Sequence, residues 1–208
     1  MGNCFNSNSS KSQKSQKNPK NPNKSSIDWS KYNFDNTKEF SLNGLYLECR
    51  VVDIYDGDSC TCILPLFDSY YKLPIRLADI DTCEMKSKSD TNKELANKAR
   101  ICLFELITKN NKMEIYPKIS RKDMRALLND NVYLIRILCG NFDKYGRLLG
   151  HLFKSDKLKI PTIVDIETKS FNYKLINKKL AYKYEGATKL TEQEQIKFLR
   201  PVKNKATC

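Results

Sequence analysis

Three runs of alternating apolar residues, one after another and ahead of any helical pattern, narrow the folds open to this chain more than any other feature. In the first, residues 45–55, Leu45, Leu47, Cys49 and Val51 alternate, and the parity then slips to Val52 and Ile54. A one-residue slip turns side chains to the opposite face, so it marks a bulge or a barrel strand exposed to two neighbours. The second run, residues 59–66, sets Cys60, Cys62, Leu64 and Leu66 on one face. In the third, Tyr71, Leu73, Ile75 and Leu77 share one face, and Lys72, Pro74, Arg76 and Ala78 share the other. Arg76 therefore points away from the apolar row.

This third strand runs out into Asp81-Thr82-Cys83-Glu84, which carries two carboxylates three residues apart. Upstream, Asp56-Gly57-Asp58-Ser59 is a tight turn between the first two strands, with Asp-Gly as a hairpin signal. Downstream, Asp143-Lys144-Tyr145-Gly146-Arg147 is a second polar turn, between strands predicted over residues 132–139 and 147–153. Between these motifs the period changes. Leu95, Ala99, Cys102, Leu103 and Leu106 recur at helix spacing, with Thr91 as the expected N-cap and Glu94 three residues on. A further helix is expected near Tyr173–Lys183 (Leu175, Ile176, Leu180). A last one is expected over Thr191–Leu199, with Thr191 and Glu194 as a capping box. Three strands, a helix, two strands and then helices predict a mainly β chain of α+β class. The expected fold is a five-stranded Greek-key barrel of the OB type with about three packed helices.

Charge points to the partner. The chain has 37 basic residues against 24 acidic ones, a formal charge of +13. A polyanion fits this balance, nucleic acid first and an anionic membrane second. Residues 1–31 hold six lysines against one aspartate in a near-repetitive tract rich in Ser, Asn and Pro. Such a tract lacks the apolar surface to fold and is expected to be a disordered basic tail. It opens Met1-Gly2-Asn3-Cys4, which resembles a myristoyl-plus-palmitoyl start on Gly2 and Cys4, although Asn6 stands where Ser or Thr is usual. Eight cysteines occur without a CxxC pair, and most sit at apolar positions, as reduced buried thiols in an intracellular protein do. The single histidine, His151, argues against zinc. No apolar block opens the first 30 residues, so no secretory signal is expected there.

In this order, the motifs DGD-S, R-x4-D-T-x-E and D-K-Y-G-R resemble the staphylococcal nuclease (thermonuclease) family over roughly residues 45–185. The resemblance implies an OB-type barrel and a calcium-dependent, sugar-nonspecific endonuclease. Such an enzyme cuts DNA and RNA, preferably single-stranded, to 3′-phosphate ends. It implies that Asp58 and Asp81 ligate calcium, helped by the Thr82 carbonyl, and that Asp56 shapes the site. It implies Glu84 as the base acting on water, and Arg76 and Arg147 as the forks that oppose phosphoryl charge. Lys144, Tyr145 and Tyr184 would then hold a phosphate or stack a base. Cys83 stands where proline is common; that change would loosen Glu84 and put an oxidisable thiol at the site, and the preferred reading of the thiol is a quiet structural cysteine. The family crosses residues 113–130 more directly, so an insertion is expected there. The nuclease domain is expected over residues 40–200, with a C-terminal tail at 201–208 and a monomeric state.

Each piece has a plainer reading: an Asp-Gly-Asp hairpin, a loop glutamate, a solvent-exposed Tyr-Gly-Arg turn. Two other functions also stay open. One is a barrel that binds nucleic acid or protein without cutting. The other is a scaffold held at a cytoplasmic membrane face by its tail.

Overall fold

The computed structural model describes residues 27–109, 119–156 and 159–199. Gly2, Cys4, the basic tail up to residue 26, Cys208 and the expected C-terminal tail lie outside the described residues. The chain divides into two compact units between Glu39 and Phe40. In the first, a 3-10 turn at Trp29–Lys31 is capped by Asp28, whose side chain accepts from Ser30 N.

The second unit is built on a closed barrel. Its strands are β1 (Tyr46–Ile54), β2 (Ser59–Leu66), β3 (Ser69–Leu77), β5 (Leu134–Phe142) and β6 (Leu148–Lys154), in spatial order β1-β2-β3-β6-β5. The β3–β6 contact is parallel and the other pairs are antiparallel. Closure leaves no long edge unpaired. The slip seen in the first run is a bulge between Val51 and Asp53. It lets Val51, Val52, Asp53 and Ile54 all be buried. Alternating Cys60, Cys62, Leu64, Ile75, Leu77, Ile135 and Ile137 fill the interior. Each large apolar side chain enclosed there contributes about 1.5–3 kcal/mol.

Helix α1 (Asp90–Thr108) packs on the barrel core through Leu103 and Ile107, while its Leu95 and Ala96 join Cys83, Tyr182 and Leu199 in a second cluster. Its N-cap is Ser89, not Thr91. Ser89 N is itself bonded to Ser87 Oγ, which fixes the earlier start. Gly57 is needed for close approach: a Cβ there would come within 2.4 Å of Ala99 Cβ. The Asp56–Ser59 turn is thereby pressed onto α1.

Helix α2 (Arg121–Asp130) forms most of the described part of the expected insertion and seats Met124 and Leu128 in the core. Five α-helices are described, where about three were expected. The predicted helix near Tyr173–Lys183 is shorter: α4 (Phe171–Asn177) stops and Tyr182–Lys183 form a strand, β7. Lys179 adopts a left-handed φ of 57° just after α4, ending the helical run. α3 (Ile163–Lys169) has no buried residue, so it left no apolar period to read. α5 (Glu192–Leu199) follows the Thr191–Glu194 capping box as expected.

After β3 the chain turns at Asp79, whose φ is 61°, and continues as the short strand β4 (Ile80–Asp81), paired with β7. Buried Asn172 of α4 pins this corner. Its amide donates to Ala78 O at 2.8 Å and Gly150 O at 3.1 Å, and its oxygen accepts from Leu152 N at 3.1 Å.

Candidate active site

β2 and β3 are in register with Ser59 opposite Arg76. That pairing, and the turn at Asp79, bring the first two motifs onto one spot. Arg76 is buried on the face opposite the core row, and its guanidinium is shared end-on. Nη1 meets Asp58 Oδ2 at 2.8 Å and Nη2 meets Asp81 Oδ1 at 2.7 Å. Asp58 Oδ2 also accepts from Thr82 N at 3.0 Å and Thr82 Oγ1 at 3.1 Å, and Asp58 Oδ1 accepts from Ser59 Oγ at 3.0 Å. Asp56 Oδ1 takes Asp58 N at 3.2 Å. Asp81 Oδ2 accepts from Tyr182 OH, which the β4–β7 pairing sets directly opposite.

This floor holds more negative charge than Arg76 can balance. Burial, with the charge of Asp56 added, pushes the Asp58 carboxyl up to about 8 against the pull of Arg76. Lys189, on the loop before α5, supplies a second cation. Its Nζ lies 3.1 Å from Asp81 Oδ1 and 2.9 Å from Glu84 Oε1. Partial burial would lower this amine, but Glu84 and Asp81 carry it above the ordinary lysine value.

Around the floor is a cleft of about 1120 Å³. Its walls include Asp58, Arg76, Thr82 and Glu84, and also Lys144, Tyr145, Arg147 and Tyr184. The Asp143–Arg147 turn is built by Asp143. Its Oδ1 accepts from the backbone N–H groups of Tyr145 and Arg147, both at 2.9 Å, and Gly146 takes the φ of 75° that the turn needs. Asp143 Oδ2 accepts from Arg147 Nε at 2.8 Å. Burial would raise the Asp143 carboxyl, but these bonds from Arg147 and Tyr145 hold it below the usual range. The Arg147 guanidinium lies 5.6 Å from the Tyr145 ring centroid, and Lys144 Nζ lies 5.1 Å from it. Tyr184 OH donates to Ala187 O at 2.8 Å, and Tyr184 N donates to Asp79 O at 3.0 Å.

The donor chemistry suits a hard cation: two buried aspartates with a third beside them, short of positive charge. The oxygens are nonetheless engaged by Arg76 and Lys189. Among the described residues, no three acidic, histidine or cysteine side chains are gathered as a ready ligand set. Thr82 acts through its N–H and hydroxyl, toward Asp58.

Cys83 does not line the cleft. It is 1 % exposed, packed with Leu95, Ala96, Tyr182 and Leu199, and burial first, then Asp81, pushes its thiol to about 11. It is a core cysteine whose thiol lies 3.7 Å from Asn92 Oδ1.

Sequence reasoning brought Asp58, Arg76, Asp81, Thr82, Glu84, Lys144, Tyr145, Arg147 and Tyr184 forward, and all but Asp81 line the cleft, with Asp81 on Arg76 directly beneath. Reasoning from sequence missed Lys189, Tyr182 and Arg121. Tyr182 carried a faint signal, since it stands two residues before Tyr184 in a Tyr-x-Tyr alternation.

A sequence model of the family described as "Staphylococcal nuclease homologue" matches residues 74–207. The matched stretch holds Arg76, Asp81, Glu84 and Arg147. Asp58 lies ahead of it and joins the group through its ion pair with Arg76. No curated protein matches the chain.

Proposed function

Because the chain belongs to the staphylococcal nuclease family, for which a nuclease-related function is the coarse expectation, we propose that its cleft hydrolyses phosphodiester bonds of DNA and RNA. The proposed enzyme is a calcium-dependent endonuclease, indifferent to the sugar, that prefers single strands and leaves 3′-phosphate ends. One observation carries the proposal: Arg76, Glu84 and Arg147 face a single cleft whose floor is an aspartate pair.

The roles follow from what each group can do. Arg147 reaches the cleft from an exposed turn and uses Nε on Asp143, so its terminal nitrogens are not engaged by that carboxylate. They can meet a phosphoryl oxygen as charge builds on it. Arg76 opposes the same charge from below. Glu84, which lines the cleft outside the Arg76 pairing and is met by Lys189 at 2.9 Å, stands where the family resemblance puts the base, and is the group proposed to orient a water and accept its proton. Asp58 and Asp81, with Thr82, would hold calcium, and a bound calcium would neutralise phosphoryl charge as a Lewis acid. Lys144, Tyr145 and Tyr184 would bind the strand by charge and stacking.

A second reading, a barrel that binds nucleic acid without cutting it, draws on the engagement of the acidic oxygens by Arg76 and Lys189. We further propose that acylation of Gly2 and Cys4, with the lysine tail, holds the protein at an anionic cytoplasmic membrane face. A Gly2→Ala change should then release it from the membrane fraction.

The test of the enzyme is cleavage of denatured DNA and of RNA by the full chain, with calcium and with chelator, beside Glu84→Ala. Calcium-dependent cutting lost in Glu84→Ala supports the proposal. Salt-sensitive binding without cutting would select the second reading.

A further inference from the structure

The cleft has a second arginine–tyrosine corner that none of the recognised motifs includes. Tyr55, at the end of β1, and Arg121, the first residue of α2, both line the cleft with Arg76 and Arg147. The Arg121 guanidinium lies 4.7 Å from the Tyr55 ring centroid. Its Nε donates to Asp53 Oδ1 at 3.2 Å and its Nη2 to Asp53 Oδ2 at 2.5 Å, so Nη1 is the nitrogen that Asp53 does not take. At the β5–β6 turn the same three parts recur: Arg147 by Tyr145, with Nε on Asp143. Asp143 takes Arg147 through Nε, whereas Asp53 takes Arg121 through Nε and Nη2; each corner still offers the cleft a guanidinium edge and an aromatic ring.

The new corner has cationic charge to spare. Arg125, one turn along α2, also donates to Asp53, at 2.7 Å. Two guanidiniums thus share one carboxylate. Arg100 adds a third cation nearby. It is buried, and among the described residues its Nε has no partner. Arg121 is not required merely to dock α2. Buried Met124 and Leu128 do that, with Asn129 Nδ2 donating to Val52 O at 3.0 Å and Arg50 Nη2 donating to Asn129 O at 2.8 Å. Arg125 can hold Asp53 while the outer edge of Arg121 turns to a ligand.

We infer that Tyr55 and Arg121 form a second nucleotide subsite for single-stranded nucleic acid, in which the guanidinium takes a backbone phosphate and the Tyr55 ring stacks a base. This rests on the proposed nuclease reading and extends it. The strand enters the cleft from the β1–α2 side as well as from the β5–β6 turn, so longer strands bind better than short ones.

The experiment is fluorescence anisotropy with labelled single-stranded DNA of about three nucleotides and of about twelve, the longer within the span a barrel of this kind covers. The full chain is compared with Arg121→Gln and Tyr55→Ala, each checked for folding by thermal melting. Each variant should bind the longer strand about tenfold more weakly. Arg121→Gln should also reduce the salt slope by about one counterion. Binding of the short strand should not change. In cleavage, KM on the longer strand should rise while kcat is kept. Unchanged affinity and salt slope on the longer strand in a folded Arg121→Gln would overturn the inference. If that variant does not fold, Tyr55→Ala, whose ring is partly exposed, decides alone: affinity equal to wild type overturns it. A wild-type chain that binds but does not cut would sink the nuclease reading and leave the subsite to the binding data. One that binds neither strand would sink both.

Discussion

Arg76 and Arg147 face the same cleft under opposite conditions. Arg76 is buried and shared end-on between two buried aspartates. Arg147 stands on an exposed turn, paired to one aspartate of its own hairpin and lying against a tyrosine. Removing one partner of a buried charge set leaves the others uncompensated, whereas an exposed pair contributes little to stability. On the proposed function, the floor therefore serves both structure and chemistry, and the rim chemistry alone. That difference can be broken by mutation.

Arg76→Ala should have the largest effect. It leaves Asp58 and Asp81 buried beside each other and should cost about 3–5 kcal/mol of stability, along with all measurable cutting. Denaturant unfolding reads the first and a cleavage assay the second. Arg147→Ala should stay within about 1 kcal/mol of wild type in stability and still lose about 10²–10³-fold in cutting. Equal stability losses in the two variants would erase the distinction between floor and rim.

Lys189 tests the floor from the other side. Its amine engages Asp81 and Glu84. Lys189→Ala should bind calcium more tightly by calorimetry, by about tenfold if the amine competes with one charge pair of about 1.4 kcal/mol. Its calcium-free melting temperature should fall. Weaker calcium binding in Lys189→Ala would mean that Lys189 orders the ligands instead of competing with the ion.

A separate effect should appear with pH. The Asp58 carboxyl is raised, by burial and then by Asp56, to about 8, well above the value of about 4 for an unfolded aspartate. The folded chain then keeps a proton that the unfolded chain has lost. The stability this contributes is full below about pH 4 and is lost as pH rises through about 8. Melting of the calcium-free protein should show that decline, and Asp56→Asn should flatten it. On the rim, Tyr145→Ala should raise KM a few-fold with kcat nearly unchanged, because stacking is worth about 1–3 kcal/mol per base.

The same contrast decides what could be read in advance. Strands β1, β2 and β3 were legible because alternation is local, and even the bulge announced itself as a slip in parity. Asp56–Ser59, Asp81–Glu84 and Asp143–Arg147 were legible because each motif keeps its groups within a few residues. The Arg121 corner was not, since Arg121 and Asp53 are 68 residues apart. Nor was Lys189, whose partner Glu84 lies 105 residues before it. The helix expected near Tyr173–Lys183 was cut short by pairing: Tyr182 is taken up opposite Asp81 in the β4–β7 sheet. At the start of α1 the cap is Ser89 and not the expected Thr91. The choice fell to Ser87, which bonds Ser89 and, through its hydroxyl, Glu192 at 2.6 Å, a contact from the far end of the chain.

The most direct measurement is a paired one on Arg147→Ala: single-turnover cleavage of a labelled single strand with calcium, and binding of a non-cleavable analogue of that strand. The account predicts cleavage at least about 10²-fold slower with affinity within a few-fold of wild type. Cleavage equal to wild type, or cleavage and affinity lost in the same proportion, would contradict it.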